Sequence, residues 1–224
     1  MDIVGNLSKL LGEIPSHVKL IAVSKTKPNE DIMKAYSSGF RFFGENKVQE
    51  LNRKQPELPN DIEWHFIGHA QTNKVKYIAP FVSLIHSVDS LKLLKEINKQ
   101  ALKYERVIDC LLQFHIATEA TKFGYDPLEA ARLLESEEYR QMKNIRICGV
   151  MGMATYSTDL ELVRSEFRKL KGVFNNLKAN YFDKEESFKD ISMGMSGDYK
   201  IAIEEGSTMV RVGSAIFGER DYLK

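Results

Sequence analysis

The stretch Ser192–Gly218, SMGMSGDYKIAIEEGSTMVRVGSAIFG, contains two short apolar strands, each followed by a turn of small residues. A helix-forming segment separates the two strands, so we expect them to pair in parallel through a helical crossover. Both turns combine glycine with serine and lead into helix-forming sequence. Unpaired N–H groups at the start of a helix attract anions, and glycine lets an anion approach closely. The stretch therefore predicts parallel strands with a phosphate cup at their carboxyl ends.

The same alternation of apolar strands and amphipathic helices continues outward over the whole chain. Strands are predicted at Lys19–Ser24, Phe40–Gly44, Ile62–Ile67, Phe81–Ile85, Val107–Gln113, Ile145–Val150, Asp190–Met193 and Met209–Val212. Apolar residues recur at three- and four-residue spacing over Asp89–Leu102 and Asp159–Leu177, which predicts helices there. Pro28 and the pair Asp126-Pro127 are typical of helix starts.

Eight strands alternating with helices predict an α/β fold, a single-domain (β/α)8 TIM barrel over residues 1–224 with an extra N-terminal helix around Ile3–Leu11. When such a barrel binds phosphate, the loops after its last two strands are the usual place. A doubly wound open sheet is the main alternative. Its nucleotide-binding version loses support because no Gly-x-Gly-x-x-Gly motif follows the first strand.

The composition is that of an ordinary globular protein, with 43% hydrophobic and 28% charged residues among 224. Lys and Arg number 32 against 31 Asp and Glu, so a nucleic-acid partner has little electrostatic support. Cys110 and Cys148 lie in apolar runs and are predicted to be buried thiols. We find no secretory signal and no membrane-spanning run, and therefore expect a cytoplasmic protein without a membrane partner.

A lone lysine, Lys25, ends the first predicted strand. Strand alternation puts Ile21, Val23 and Lys25 on one face, and if this face points into the barrel the amine lies at the C-terminal mouth. A partly desolvated lysine can attack a carbonyl carbon. Together with the phosphate cup, Lys25 indicates a phosphorylated aldehyde held as a Schiff base. The alternative is a solvated lysine at a strand end, like Lys27.

Arg211 is a charged residue inside an otherwise apolar strand. Alternation puts Met209, Arg211 and Gly213 on one face of that strand. A buried guanidinium is costly unless something accepts its hydrogen bonds. Two explanations stay open from these residues alone, namely a structural ion pair with Glu45 or Asp198, and a role in ligand binding.

A set of longer sequence blocks, in order over nearly the whole chain, adds a family resemblance. These blocks are AVSKTKP (Ala22–Pro28), FGENKVQE (Phe43–Glu50), WHFIGHAQTNK (Trp64–Lys74), IHSVDS (Ile85–Ser90), KFG (Lys122–Gly124), GVMGMA (Gly149–Ala154), SMGMSGDYKIAI (Ser192–Ile203) and STMVRVGSAIFG (Ser207–Gly218). With them the chain resembles the pyridoxal 5′-phosphate (PLP) homeostasis proteins, single-domain relatives of the N-terminal barrel of alanine racemase.

The resemblance implies a role for individual residues. Lys25 matches the lysine that forms the internal aldimine with PLP, and Asn46 matches the asparagine near the cofactor ring. Arg211 matches the arginine that faces the pyridine nitrogen, where a permanent donor weakens the ring as an electron sink. The phosphate-cup positions are matched by Ser196, Gly213 and Ser214.

The function implied by the resemblance is PLP binding in intracellular vitamin B6 homeostasis, with buffering of the cofactor or its delivery to PLP-dependent apoenzymes. A monomer or weak dimer is implied as well. Only Ala215–Lys224 follow the last turn, too little for the second domain that completes the site of alanine racemase. We therefore expect an open site suited to exchange, with no catalytic residue and no strong turnover.

Two enzymes remain as alternatives. The first is a PLP-dependent amino-acid racemase with Lys25 as its base and Tyr125 or Tyr156 as the acid on the opposite face. The second is a Schiff-base aldolase acting on a phosphosugar, which also needs a barrel lysine and a phosphate cup. Such aldolases usually carry the lysine on a later strand, so the position of Lys25 argues against the second alternative.

The histidines and most of the methionines near the mouth are predicted to have structural roles. His65 is predicted to be a hydrogen-bonded structural histidine rather than a neighbour of the cofactor. His69 and His86 are not spaced with acidic residues as metal ligands are, and no metal is assigned. The methionines near the mouth are predicted mostly to fill the core: Met151, Met153, Met193 and Met195.

Overall fold

The eight predicted strands close into one parallel barrel in chain order, as expected for a (β/α)8 fold. The structure, a computed structural model, describes residues 1–118 and 123–219. Lys122 of the block KFG and residues 220–224 of the C-terminal segment lie outside the described residues. The strands are Lys19–Val23 (β1), Phe42–Glu45 (β2), Glu63–Phe66 (β3), Leu84–Val88 (β4), Ile108–Phe114 (β5), Ile145–Gly152 (β6), Asp190–Met195 (β7) and Met209–Val212 (β8).

Helices surround the barrel and connect successive strands. They are Ile3–Glu13 (α1), Asn29–Ser37 (α2), Val48–Lys54 (α3), Leu91–Lys103 (α4), Pro127–Glu135 (α5), Glu137–Arg140 (α6), Leu160–Tyr181 (α7), Tyr199–Glu204 (α8) and Ser214–Phe217 (α9). Short 3₁₀ turns occupy Gln55–Glu57 and Thr72–Tyr77. None of the helices in residues 1–118 and 123–219 combines the length and the hydropathy of a membrane span.

The predicted helix starts are confirmed. Asn29 opens α2 directly after Pro28. At the start of α5, the Asp126 carboxylate accepts the Glu129 N–H at 2.8 Å and the Glu129 carboxylate accepts the Asp126 N–H at 3.0 Å. This reciprocal pair is a capping box, which satisfies two N–H groups that the helix cannot.

The extra N-terminal helix is also confirmed and extends to Glu13. It buries Ile3, Leu7 and Leu10 against the rest of the protein. The Asn6 side chain donates to the carbonyl oxygen of Ile216 at 3.2 Å. The helix therefore packs beside the segment that follows β8.

One strand differs from its prediction by three residues at each end, whereas the other seven agree to within two residues. The fourth strand was predicted at Phe81–Ile85 and lies at Leu84–Val88. The N–H groups of Phe81 and Val82 donate to the carbonyl oxygen of Ile78, so these two apolar residues belong to a turn. An apolar run shows no periodicity that separates a buried turn from a buried strand, which explains the shift.

The apolar core has two parts, and β1 contributes to both. Leu20 and Ala22 belong to the large cluster formed by strands and surrounding helices. Ile21, which lies between them, belongs to the inner cluster of Ile21, Leu84, Leu111, Cys148, Met151 and Met209. Alternate residues of β1 thus face the helices and the barrel interior, which sets the direction of the residues that follow this strand.

Candidate functional site

A cavity of about 910 Å³ opens at the carboxyl ends of the strands. Its lining includes all six residues that the sequence analysis assigned to a cofactor site: Lys25, Asn46, Ser196, Arg211, Gly213 and Ser214. They come from the segments after β1, β2 and β7 and from the end of β8. The barrel therefore brings together residues that are far apart in the sequence, at the end where barrel proteins carry their sites.

Lys25 lies in the turn that follows β1 and is half-buried. Ile21 belongs to the inner core cluster, and Val23 and Lys25 both line the cavity. The expected common face of these three residues is therefore confirmed. Thr26 has a φ of 65°, a left-handed conformation that a β-branched residue rarely adopts. The turn is held in this shape by contacts on both sides of Lys25.

These contacts come from a buried cluster of charges, which we call the Lys54 cluster. The Lys54 ammonium donates to the carbonyl oxygen of Ser24 at 2.9 Å, to Glu45 Oε1 at 2.8 Å and to Glu50 Oε1 at 2.7 Å. The Ser24 hydroxyl donates to Glu45 Oε1 at 2.7 Å, and the Thr26 N–H donates to Glu50 Oε1 at 2.6 Å. Both neighbours of Lys25 are thus tied to the cluster.

Glu45 is the member of the cluster whose negative charge is least favoured by its surroundings. It is fully buried, and its Oε2 has no hydrogen-bond partner among the described residues. Burial raises the pKa of Glu45, while the charge and hydrogen bond of Lys54 act in the opposite direction. Glu45 is one of the two carboxylates that the sequence left open as partners of Arg211, and it pairs with Lys54 instead, a contact that was not predicted. The four-residue spacing of Glu50 and Lys54 on one helix was the available signal.

Asn46 follows β2 directly and packs against the backbone after β3. A Cβ atom added at Gly68 would overlap the carbonyl group of Asn46. The Ser87 hydroxyl donates to the carbonyl oxygen of Gly68 and fixes that segment from the other side. Position 68 therefore requires glycine, because only a residue without a side chain lets the two loops approach closely at the cavity wall.

Arg211 points from β8 toward the cavity and is 4% exposed. Its Nη1 donates to the Ser192 hydroxyl at 2.6 Å and its Nη2 donates to the carbonyl oxygen of Gly152 at 3.1 Å. Both acceptors are neutral. The expected alternative of an ion pair with Glu45 or Asp198 is wrong within the described residues, since Glu45 pairs with Lys54 instead. Burial lowers the pKa of Arg211 to about 10, and the Asp198 charge opposes this effect.

The predicted phosphate cup consists of the turns after β7 and β8. The Gly213 N–H donates to the Ser196 hydroxyl at 3.2 Å, which joins the two turns directly. Asp198 Oδ1 accepts the N–H of Met195 at 2.5 Å and closes the first turn. Ser214 follows at the mouth and is exposed. The hydroxyl-bearing residues Ser196 and Ser214 thus lie in neighbouring turns that line the same cavity.

The histidines take different positions. His65 and His86 lie inside the barrel, 2% and 0% exposed, and neither lines the cavity. His69 is exposed at the mouth, where its Nδ1 lies 3.0 Å from Asp89 Oδ2. In the part of the chain that the structure describes, no group of three or more His, Cys, Asp or Glu residues is arranged to hold a metal ion.

The tyrosines and methionines near the mouth also differ from one another. Tyr125 is 6% exposed, packs on Phe114 and is not among the lining residues, whereas Tyr156 is 99% exposed and lies at the rim. Met151 and Met193 are buried as expected for core residues. The other two methionines of the predicted core set are partly exposed and line the cavity: Met153 and Met195.

Sequence comparison relates this chain to alanine racemase N-terminal domains and to pyridoxal phosphate homeostasis proteins. The family of alanine racemase N-terminal domains matches residues 2–221. The pyridoxal phosphate homeostasis protein of Aquifex aeolicus is 43% identical over 206 residues, which are 91% of this chain and 88% of that protein.

Among solved structures, PipY of Synechococcus elongatus PCC7942 is 33% identical to this chain. The alignment covers 96% of this chain and 100% of the PipY chain. The TM-score is 0.90 for PipY without PLP and 0.86 for PipY with PLP bound. An alanine racemase of Clostridium difficile 630 has a TM-score of 0.72 at 14% identity, covering 99% of this chain and 57% of that one. This last likeness concerns the fold alone.

Proposed function

Because this chain belongs to the family of pyridoxal phosphate homeostasis proteins, and to the wider family of alanine racemase N-terminal domains, we propose that it holds PLP as a Schiff base on Lys25 and buffers or delivers this cofactor. The observation that carries the proposal is the convergence of Lys25, Arg211 and the phosphate cup on one cavity. Delivery to PLP-dependent apoenzymes, a cytoplasmic location and a monomer or weak dimer remain predictions.

The donor set of the cavity fits the chemistry of PLP. The Ser196 and Ser214 hydroxyls and the backbone of the Gly213 turn are suited to a phosphate group. A Cβ atom added at Gly213 would lie 3.1 Å from the carbonyl oxygen of Val23, so this turn approaches β1 and the Lys25 segment closely. The guanidinium of Arg211, which can only donate, is suited to an unprotonated ring nitrogen.

Lys25 supplies the covalent anchor in this proposal. Its amine adds to an aldehyde carbon, and a C=N bond forms with the loss of one water molecule. The Lys54 cluster restrains the residues before and after Lys25, so the amine is presented from a fixed turn. When bound, PLP would supply the aldehyde and an electron-accepting ring, and Arg211 beside the ring nitrogen would disfavour its protonation.

Storage and exchange are favoured over strong turnover by the residues at the mouth. Two-sided proton transfer needs a second acid or base placed opposite Lys25. Of the two tyrosines considered, Tyr125 is buried away from the cavity lining, and Tyr156 is almost fully exposed. An exposed rim suits the entry and release of a small aldehyde.

The first test is a visible absorption spectrum of the purified protein before and after addition of PLP. We expect a yellow band in the parent protein, no such band in Lys25→Ala, and an unchanged band in Lys99→Ala, which alters an exposed lysine on α4. Borohydride reduction followed by peptide mass spectrometry should place the label on Lys25. A band that persists in Lys25→Ala would contradict the assigned anchor, and no band with excess PLP would contradict the proposal as a whole.

The second test separates a carrier from an enzyme. Robust amino-acid turnover, at roughly 1–10³ s⁻¹, would reject the carrier function and favour the racemase. Exchange of the substrate α-proton that depends on Lys25 and not on Tyr156 would then indicate a one-base enzyme. A colourless protein that is saturated by a phosphosugar would instead support the aldolase.

A further inference from the structure

Four buried polar side chains form a continuous hydrogen-bonded chain inside the barrel, below the cavity. Arg211 Nη1 lies 2.6 Å from Ser192 Oγ, and Ser192 Oγ lies 2.9 Å from His86 Nδ1. His86 Nε2 lies 2.9 Å from His65 Nδ1. The four residues belong to β8, β7, β4 and β3, and none is more than 4% exposed. We call these residues the Arg211 chain.

The arginine determines where every proton in the chain lies. A guanidinium has no acceptor, so the Ser192 oxygen accepts the hydrogen bond from Arg211. The other partner of this hydroxyl in the described structure is His86 Nδ1, and the hydroxyl proton therefore points there. His86 then carries its own proton on Nε2 and donates to His65 Nδ1. By the same step, His65 carries its proton on Nε2.

The surroundings keep both rings neutral. Burial, together with the charge of Lys19, lowers the pKa of His65 to about 3. The pKa of His86 lies well below its usual value, again mainly because of burial and also because of His65, Arg211 and Lys19. Among the described residues, no carboxylate lies within 4.0 Å of either imidazole. A second proton on either ring would face only positive neighbours.

We propose that the Arg211 chain runs in one direction, from Arg211 through Ser192 and His86 to His65, and that Ser192 is the positioning residue that aims the guanidinium at the cofactor ring. The part that concerns the cofactor rests on the proposed function. Since Ser192 and the Gly152 carbonyl are neutral acceptors, they orient the arginine without neutralising it. The guanidinium therefore keeps its positive charge toward the ring nitrogen without a carboxylate among its hydrogen-bond acceptors.

The proton order is tested without any cofactor, by ¹⁵N NMR of histidine-labelled protein. The chain has five histidines, and replacing His17, His69 and His115 by asparagine leaves only the signals of the buried pair. We expect both rings to be neutral with the proton on Nε2, and unchanged between about pH 5.5 and 8. A proton on Nδ1 of either ring, or titration within this range, would overturn the proposed direction.

The positioning role is tested with Ser192→Ala, Ser192→Thr and a matched control. Ser207→Ala removes another buried serine hydroxyl, one that bonds to the backbone oxygens of Ile191, Met193 and Met209 and not to the Arg211 chain. We expect Ser192→Ala to shift the His86 nitrogen signals and to weaken PLP binding about tenfold, because a hydrogen bond to a charged group is lost. Ser192→Thr, which keeps the hydroxyl, should restore binding to within about twofold.

The outcomes separate this inference from the proposed function. If the parent protein does not bind PLP, the proposed function fails, while the NMR result still decides the proton order. If the parent binds PLP and Ser192→Ala binds it as tightly as Ser207→Ala does, the positioning role of Ser192 is wrong. If Ser192→Ala does not fold, Ser192→Cys, which retains a weak donor, should give an intermediate affinity, and an affinity equal to that of the parent would equally reject the role.

Discussion

The two walls of the cavity hold their functional side chains in opposite ways. On the Lys25 side, the turn is tied to two buried charged side chains and one partly buried one: Lys54, Glu45 and Glu50. On the Arg211 side, the guanidinium is held by a serine hydroxyl and a backbone carbonyl, both neutral. On the first wall the charges are therefore hydrogen-bonded to their own counterions, whereas on the second wall the hydrogen-bond acceptors of the charge are neutral.

The difference follows from what each side chain is proposed to do. A nucleophilic amine needs a fixed position, and charge-assisted hydrogen bonds to the turn on both sides of Lys25 provide one. Arg211 needs to keep its charge directed at a ligand, and a carboxylate hydrogen-bonded to the guanidinium would offset that charge. A buried pair of charges is also strongly destabilised when one partner is removed. The buried histidines of the Arg211 chain, by contrast, resist the addition of a proton. The two walls should therefore respond differently to mutation and to pH.

The largest effect is expected from removing the central charge of the Lys54 cluster. Lys54→Met keeps the length of the side chain but leaves Glu45 buried without its cation, so we expect a loss of about 3–5 kcal/mol in the free energy of unfolding. Urea denaturation measures the loss. The matched control is Lys34→Met, which breaks an exposed pair with Asp31 and should change stability by less than about 1 kcal/mol.

A second variant shows whether the cost comes from the unpaired charge. Replacing Lys54 and Glu45 together by Met and Gln removes both partners and should recover a large part of the loss. Equal losses in Lys54→Met and the control would mean that the cluster does not stabilise the Lys25 turn, and the contrast between the walls would then lack its charged half.

The pH dependence should have opposite signs on the two walls. The folded-state pKa of His65 is about 3, below its ordinary 6.5. Between these two pH values the folded state therefore binds fewer protons than the unfolded state. The stabilisation from a neutral His65 is complete above about pH 6.5 and is lost as the pH falls, by about 2 kcal/mol at pH 5. Glu45 has a raised pKa, so its contribution is complete below 4.5 and is lost as the pH rises through the folded value.

Two variants separate these contributions in urea denaturation at about pH 7.5 and 5. His65→Gln should flatten the decline of stability on acidification, while Glu45→Gln should steepen it because an opposing contribution is gone. His17→Gln, at an exposed position, should leave the decline as in the parent protein. A His65→Gln protein that loses as much stability as the parent would show that the Arg211 chain does not resist protonation.

Glycines at the two walls allow a steric comparison. A Cβ atom at Gly68 would overlap the backbone of Asn46, whereas at Gly213 it would lie 3.1 Å from the Val23 carbonyl oxygen, and at Gly197 it would meet nothing within 4 Å. We expect Gly68→Ala to cost about 1–3 kcal/mol in stability, Gly213→Ala less, and Gly197→Ala close to nothing. Thermal denaturation of the three proteins ranks them, and any other order would contradict the proposed close approach at Asn46.

The sequence predicts the frame of the molecule better than the support of its site. Strand periodicity and the turn residues predict the barrel, and the alternation in β1 predicts the face of Lys25, because these signals are local. The alternative that paired Arg211 with Glu45 is wrong, because Glu45 at the end of β2 instead contacts Lys54 on α3, and no periodicity in the sequence connects these two residues. The link between His86 and Ser192 spans 106 residues, and no periodicity in the sequence connects such a pair.

The smallest effect should come from the joint between the two turns of the phosphate cup. Ser196→Ala removes the hydroxyl that accepts the Gly213 N–H at 3.2 Å, a single long hydrogen bond near solvent. We expect the Kd for PLP to rise about fivefold, equivalent to about 1 kcal/mol, with unchanged visible absorption because Lys25 is not disturbed. Ser165→Ala, on the exposed face of α7, serves as the control. A loss of the absorption band in Ser196→Ala would mean that the phosphate cup also positions Lys25, and the two walls would then act as one unit.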